Sequence, residues 1–340
     1  MENNNFSQQE ILDFKNISQK LGSNSSLVQA AGGNTSIKSS ESMLIKASGT
    51  WLINSKKEEV FVEVDLSSIK KKINKEIDDN YAEDIISKNN LRPSIETSFH
   101  ALIDFKYVLH VHSTATIANS ISINAETKLN KLFGSDFVYV PYIRPGFPLT
   151  MLIKKVFNSE SQVFVLENHG LIVAGNDLQQ TYDLLLSVHQ KLDIIRNNNS
   201  EINNYNSESV IENYSLKNEE KYNLFKTSNK KLFSAFSKSF YPDHVIFLGP
   251  GVPTFENLND VNNFLNNIKS KNINPPPYLI LKGIGLYEIS SVTPAAREMI
   301  DCFLEVLLRI NFEDELKYLS QSQENELLNW DAEIYRQSIH

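Results

Sequence analysis

The 340-residue sequence predicts an α/β protein with a larger first unit and a smaller C-terminal α/β segment. Three observations predict it. Apolar hairpin-like runs such as "SQVFVLENHGLIVAG" and "YLILKGIGLYEIS" alternate with stretches of helical periodicity. Residues 197–222 break the composition, being rich in Asn, Ser and Glu. Hydrophobic residues make up 41% of the chain, enough for a substantial core.

The chain opens with a helix, because Ser7 and Glu10 have capping-box spacing, Ile11, Phe14, Ile17 and Leu21 recur at helical intervals, and Gly22 is a natural stop. "SLVQAAGGNTSIKSSESMLIKASGTWL" reads as a strand, a Gly-Gly turn and a hairpin ending at Ser48-Gly49. Pro93 and Ser94 begin a helix that carries Glu96 in its first turn. A strand over Tyr107–Ser113, a helix near Thr116–Leu132, a strand in "SDFVYVPYIRPGFP" and a hairpin around Asn168-His169-Gly170 follow, and a long helix from Leu178 to about Ile195 closes this unit. The expected organisation is 1–196, a linker over 197–222, and an extension over 223–340. The extension should hold a strand "HVIFLGPG", a helix near Leu258–Ile268, a hairpin, a helix from Thr293 to Ile310 and a last helix carrying Trp330 and Tyr335 as packing anchors. It also echoes the end of the first unit. Pro145-Gly146-Phe147-Pro148 and Pro250-Gly251-Val252-Pro253 each precede a hairpin and a long helix, and aligning Gly170 with Gly285 sets His169 opposite Ile284. The extension is therefore expected to be a degenerate partial repeat, with coincidence between two common units as the alternative.

Charge and composition exclude several function classes. The net charge is −8 and the lysines form no basic stripe, Lys70-Lys71-Lys72 reading as a solvated helix face, so nucleic acid is not an expected partner. Cys302 is the only cysteine, which suits a reducing compartment, and neither a signal peptide nor a membrane-length apolar run is visible. A cytoplasmic protein without a membrane partner is expected.

The chemistry concentrates in histidines. His110 and His112 alternate with Leu109 and Val111, so on a strand both imidazoles face one way, a bidentate platform for a metal such as zinc. His169, at a tight turn, is the best third ligand; two core histidines satisfied by carbonyls are the alternative. Glu96 is either a first-turn acid stabilised by the helix dipole or, beside a metal, a general base. The turns Gly33-Asn34-Thr35-Ser36, Ser48-Gly49-Thr50 and Pro93-Ser94-Ile95 offer hydroxyls and N–H groups able to hold a phosphate. His100, His189, His244 and His340 have no assigned role.

Together the motifs "AGGNTSIK", "LIKASGT", "PSIETSFHALI", "VLHVHS" and "ENHGLIVAG" resemble the class II aldolase/adducin family across roughly residues 8–195. The resemblance implies a three-layer α/β/α fold around a mainly antiparallel sheet. It implies one Zn2+ per subunit on His110, His112 and His169, Glu96 as acid/base, substrate phosphate at Gly33, Asn34, Ser48, Gly49 and Ser94, and a homotetramer. "FLGPGVP", "AAREMIDCFLEVLLRI" and "ELLNWDAEIYRQ" resemble the aldolase half of fused rhamnulose-phosphate aldolase/short-chain dehydrogenase proteins. "KGIGLYE" fails the GxGxxG fingerprint at Glu288, so no nicotinamide cofactor is implied. The expected activity is a zinc-dependent aldehyde-lyase cleaving a rhamnulose- or fuculose-phosphate-like ketose to dihydroxyacetone phosphate and a small aldehyde. The alternatives are a sugar-phosphate 4-epimerase or decarboxylase on the same site, or a non-catalytic adducin-like binding protein.

Overall fold

The structure, a computed structural model, describes residues 5–197 and 210–331. Its main sheet has seven strands: β1 (Asn34–Lys38), β2 (Ser42–Lys46), β3 (Phe61–Asp65), β4 (Tyr107–Val111), β5 (Val138–Val140), β6 (Val163–Leu166) and β7 (Gly170–Gly175). Their order is β3-β2-β1-β4-β7-β6-β5, and only β5 and β6 run parallel. Helices cover both faces, giving three layers around a mainly antiparallel sheet. On one face Gln8–Gly22 and Leu178–Leu192 enclose Phe14, Leu21, Leu185 and Val188 with Leu109, Val111, Leu171 and Val173. On the other, Thr97–Leu102 and Phe147–Val156 pack Phe99, Leu149 and Ile153 on Val108, Phe164 and Ile172. Strand alternation thus works on β4 as its residue types dictate: Leu109 and Val111 serve one core while Val108 and His110 face the opposite layer.

The first helix is closed by the Ser7–Glu10 capping box. The expected helix near Thr116–Leu132 is two, Thr114–Ser120 and Ala125–Phe133, broken where Ser122 bridges to Leu316. Helix Phe147–Val156 has no counterpart among the sequence expectations, which assign the stretch ending at Pro148 to a strand, whereas proline is suited to a helix's first turn. Residues 25–30 are turns and irregular chain rather than a strand. Lys70-Lys71-Lys72 lies on helix Leu66–Asn74, where Lys70 meets Asp104 and Lys72 meets Asp79 and Asp84.

A second sheet contains β8 (Tyr214–Leu216), β9 (Thr254–Phe255), β10 (Tyr278–Leu281) and β11 (Gly285–Ile289), in the order β8-β11-β10-β9. Two expectations need correction here. Tyr214–Leu216 falls within the stretch read as linker, yet it is the edge strand paired to β11, since Tyr214 and Leu216 supply an apolar alternation that the surrounding Asn and Ser obscure. "HVIFLGPG" is not a strand. Its residues continue helix Pro242–Leu248, buried almost all round, and a short apolar run without polar interruption has no period by which to tell strand from helix. Tyr335 and the end of the expected last helix lie outside the described residues; the described part runs Gln321–Leu328.

The two sheets share a plan. β8-β11-β10-β9 repeats β4-β7-β6-β5 in order and in the sense of every pair: antiparallel, antiparallel, parallel. Gly170 and Gly285 each begin the second hairpin strand, facing Leu166 and Leu281. Long helices follow both hairpins, Leu178–Leu192 and Pro294–Arg309. The units dock through Ile117, Ala118 and Ile121, which belong to the same core as Phe240, Ile300, Phe303 and Leu304. Among the described residues no helix is long and apolar enough to cross a membrane.

Candidate metal centre and catalytic pocket

β4 brings His110 to the sheet's centre and ends one residue before His112; the β6–β7 hairpin brings His169 across from them. The three rings form a near-equilateral triangle, with centroids 4.9, 5.1 and 5.1 Å apart, and one ring nitrogen from each lies within 4.8 Å of the others. The hairpin reaches this position because Asn168 adopts φ 53°, a left-handed conformation that asparagine tolerates. Its amide then donates to Phe240 O and Lys317 O of the C-terminal unit.

Each imidazole is buried, and for His110 and His169 burial disfavours the protonated form. His110 falls well below the usual histidine range and His169 to about 3, so both stay neutral and keep a lone pair for a cation. His110 Nδ1 donates to Leu171 O at 3.1 Å, which leaves Nε2 as the lone-pair nitrogen, buried without a hydrogen-bond partner. Glu96, 3% exposed at the start of helix Thr97–Leu102, faces it: Oε2 is 3.4 Å from His110 Nε2, and Oε1 is 3.6 Å from His169 Nε2 and also lacks a hydrogen bond. Buried polar atoms left unmatched are costly. Three buried imidazoles and a carboxylate directed at one centre are a donor set that fits a divalent ion such as zinc. Glycine is required beside it, since a Cβ on Gly32 would come within 2.7 Å of His112 Nδ1.

A polar chain orients the carboxylate. Asn34, paired with His110 across β1 and β4, donates through Nδ2 to Glu96 Oε2 at 2.8 Å and to Ser94 Oγ at 3.3 Å. His100 Nε2 donates to Asn34 Oδ1, and Ser36 Oγ donates to His100 Nδ1 at 2.7 Å, an arrangement that satisfies every member with one tautomer.

Gly33, Asn34, Ser48, Gly49, Ser94, Glu96, His112 and His169 all line one cavity, with His110 beneath it. The structure therefore gathers every site residue that the sequence singled out. The cavity measures ≈ 30 Å³ and adjoins a larger one of ≈ 340 Å³ through Ser48, Ser94 and Ile95, where Arg92, Phe147 and Trp330 stand. Trp330 closes over Gly146 and carries the Arg144 guanidinium 4.1 Å from its ring centre. Three further residues belong at the site, none of which the sequence analysis assigns a role. Lys46 lines the cavity, its ammonium donating to Ala31 O at 2.8 Å; a lysine ending the apolar run "SMLIK" was the available signal. His100 sits four residues after Glu96, one helical turn on, which was a signal of a shared face. Asp243 lines the cavity from the C-terminal unit, and nothing in "YPDH" announces it.

The family description "Class II Aldolase and Adducin N-terminal domain" matches residues 14–195, which is more than half of the chain. The protein belongs to the class II aldolase and adducin family. This class II aldolase-family chain is 31% identical over 191 residues to "Uncharacterized oxidoreductase YuxG" of Bacillus subtilis, an overlap of 51% of the chain and 28% of that protein. It is 26% identical over 164 residues to L-fuculose phosphate aldolase of Methanocaldococcus jannaschii, covering 46% of the chain and 78% of that enzyme. The chain thus spans little more than a quarter of the first relative's length and about three quarters of the second's. Among solved structures, the N-terminal class II aldolase domain of a conserved protein from Thermoplasma acidophilum is similar over 55% of this chain and 93% of that one, at 24% identity and TM-score 0.49. The matched residues contain the three histidines, Glu96 and all three turns, whereas Asp243 and Trp330 lie beyond them.

Proposed function

We propose that the protein is a zinc-dependent aldolase that cleaves a phosphorylated ketose to dihydroxyacetone phosphate and a small aldehyde. The observation that carries this reading is the triangle of His110, His112 and His169 with Glu96 across it, at the mouth of a cavity lined by Asn34, Ser48 and Ser94. In this reading the histidines hold the ion. A bound divalent ion supplies Lewis acidity, drawing charge from the ketose oxygens as the carbon–carbon bond breaks. Glu96 takes and returns the proton at the carbon that becomes the hydroxymethyl group of dihydroxyacetone phosphate, its Oε2 held by Asn34 and its Oε1 left to act. The hydroxyls of Ser48 and Ser94 and the turn at Gly49 receive the phosphate, with the Lys46 ammonium adding positive charge, while Gly33 and Asn34 border the same cavity with their donors engaged by His112 and by Glu96 and Ser94. The aldehyde portion extends into the larger cavity beside Phe147 and Trp330, which shares Ser48, Ser94 and Ile95 with the site. A cytoplasmic homotetramer with one zinc per subunit belongs to the same reading.

The test is the half-reaction that requires no aldehyde. Zinc-loaded protein in D₂O with dihydroxyacetone phosphate is expected to exchange one hydroxymethyl proton, seen by NMR, and a chelator is expected to stop it. Glu96→Gln should keep zinc while slowing exchange by about 10²–10⁴-fold. Absence of exchange with zinc bound would overturn the lyase reading and favour an epimerase or decarboxylase.

A further inference from the structure

The family-matched residues end at 195, yet the pocket does not. Helix Pro242–Leu248 of the C-terminal unit places Asp243, 2% exposed, at the cavity wall, with Oδ2 3.0 Å from His112 Nδ1. Gly32 marks the same spot from the opposite side, since a Cβ there would stand 2.7 Å from His112 Nδ1 and 2.9 Å from Asp243 Oδ2. Atoms that share one zinc at about 2.0–2.2 Å lie roughly 3.0–3.6 Å from each other. The carboxylate–imidazole separations across this site, 3.0, 3.4 and 3.6 Å, fall in that band.

We propose that Asp243 is a metal-binding carboxylate of this site, supplied by the C-terminal unit. The proposal rests on reading His110, His112 and His169 as metal ligands. Electrostatics support it. Glu96 and Asp243 bring two carboxylates into one buried pocket that the single Lys46 ammonium shares, which leaves one formal negative charge for a bound cation to offset. The position of Asp243 is built rather than incidental. Phe240, three residues earlier, accepts from Asn168, the neighbour of His169, and Glu298 of helix Pro294–Arg309 accepts from Ala30 N–H at 2.5 Å, fixing the loop that leads to Gly32. The C-terminal unit thus grips the elements that carry both His169 and Gly32 while contributing a carboxylate between them.

The experiment compares the full chain, stripped of metal, with Asp243→Asn and Glu298→Gln, titrated with Zn²⁺ against a chelating dye and with Co²⁺ by visible absorption. Asp243→Asn is expected to weaken Zn²⁺ binding by about 10–100-fold and to shift the Co²⁺ bands. Glu298→Gln loosens the same interface without touching the metal carboxylates and is expected to leave both readouts unchanged. Thermal unfolding verifies that each variant folds, and Asp243→Ser carries the same test if Asp243→Asn does not. Wild-type affinity and spectrum in Asp243→Asn would overturn the proposal, as would an equal loss in Glu298→Gln, which would reduce Asp243 to interface packing. A wild-type chain that binds no zinc would remove the histidine reading and this inference together, whereas zinc binding insensitive to residue 243 would remove this inference alone.

Discussion

At Asn34 the side-chain oxygen is held by His100 and the nitrogen by Glu96 and Ser94, so the amide cannot turn without breaking the chain that aims the carboxylate. His100 therefore acts on the site through Asn34. Replacing it with Leu strands Asn34 Oδ1 and Ser36 Oγ in the interior, with an expected destabilisation of about 1–3 kcal/mol. Exchange of dihydroxyacetone phosphate should slow with it, and His100→Gln, which restores a donor, should recover part of both. Equal loss in the two variants by thermal melts and NMR exchange would refute this role. Lys38, at the end of β1, makes a different prediction. Its ammonium is buried without a hydrogen-bond partner, and burial, aided by Lys70, lowers its pKa from 10.5 to about 7. Below about pH 7 both folded and unfolded chains carry the proton, and the fold bears the full cost of the buried charge. Between about 7 and 10.5 the folded chain releases a proton that the unfolded chain keeps, so this group's contribution to stability improves as pH rises. Lys38→Met is expected to be the more stable at pH 7 by a few kcal/mol and to lose that advantage towards pH 10, as urea unfolding at a series of pH values would show.

Legibility at the level of elements followed the period of the pattern. The hairpins β1–β2, β6–β7 and β10–β11 and the helices Gln8–Gly22, Leu178–Leu192 and Pro294–Arg309 carry a clear strand or helix repeat and stand where the sequence puts them. Alternation on β4 sufficed to set His110 against the layer opposite Leu109. Helix Pro242–Leu248 and strand β8 were not legible, for opposite reasons. The first is buried almost all round because two cores enclose it, Val245 and Ile246 on one side and Tyr241 and Leu248 on another. The second is three residues long and takes its strand form from β11. In both cases a neighbour distant in sequence overrides the local signal.

For the whole molecule, the recurrence of β4-β7-β6-β5 in β8-β11-β10-β9 makes a partial internal copy our reading of the C-terminal unit, with Ile284 standing where the first copy has His169. That unit is also structural support for the first. Ile117 and Ile121 are fully buried against Phe240 and Phe303, and Arg196 and Asn197 are tied to the carbonyls of Leu308 and Arg309. A chain ending at Arg196 is expected to expose this apolar surface and aggregate. A soluble truncated protein with cooperative unfolding would show instead that the first unit folds without its extension.

The sequence by itself determined the α/β class, the main hairpins, and the list of histidines, Glu96 and turn residues, because alternation, capping and tight turns are set by neighbours within a few positions. The motifs' order was enough to point to the family that residues 14–195 match. Only the tertiary structure decided that those residues meet in one cavity, that Lys46 lines it and His100 backs it through Asn34, and that Asp243 comes 3.0 Å from His112 across 131 positions of chain. The reason is physical. Such contacts depend on how two apolar faces dock, and docking is fixed by the shape of whole cores, which no local stretch of residues encodes.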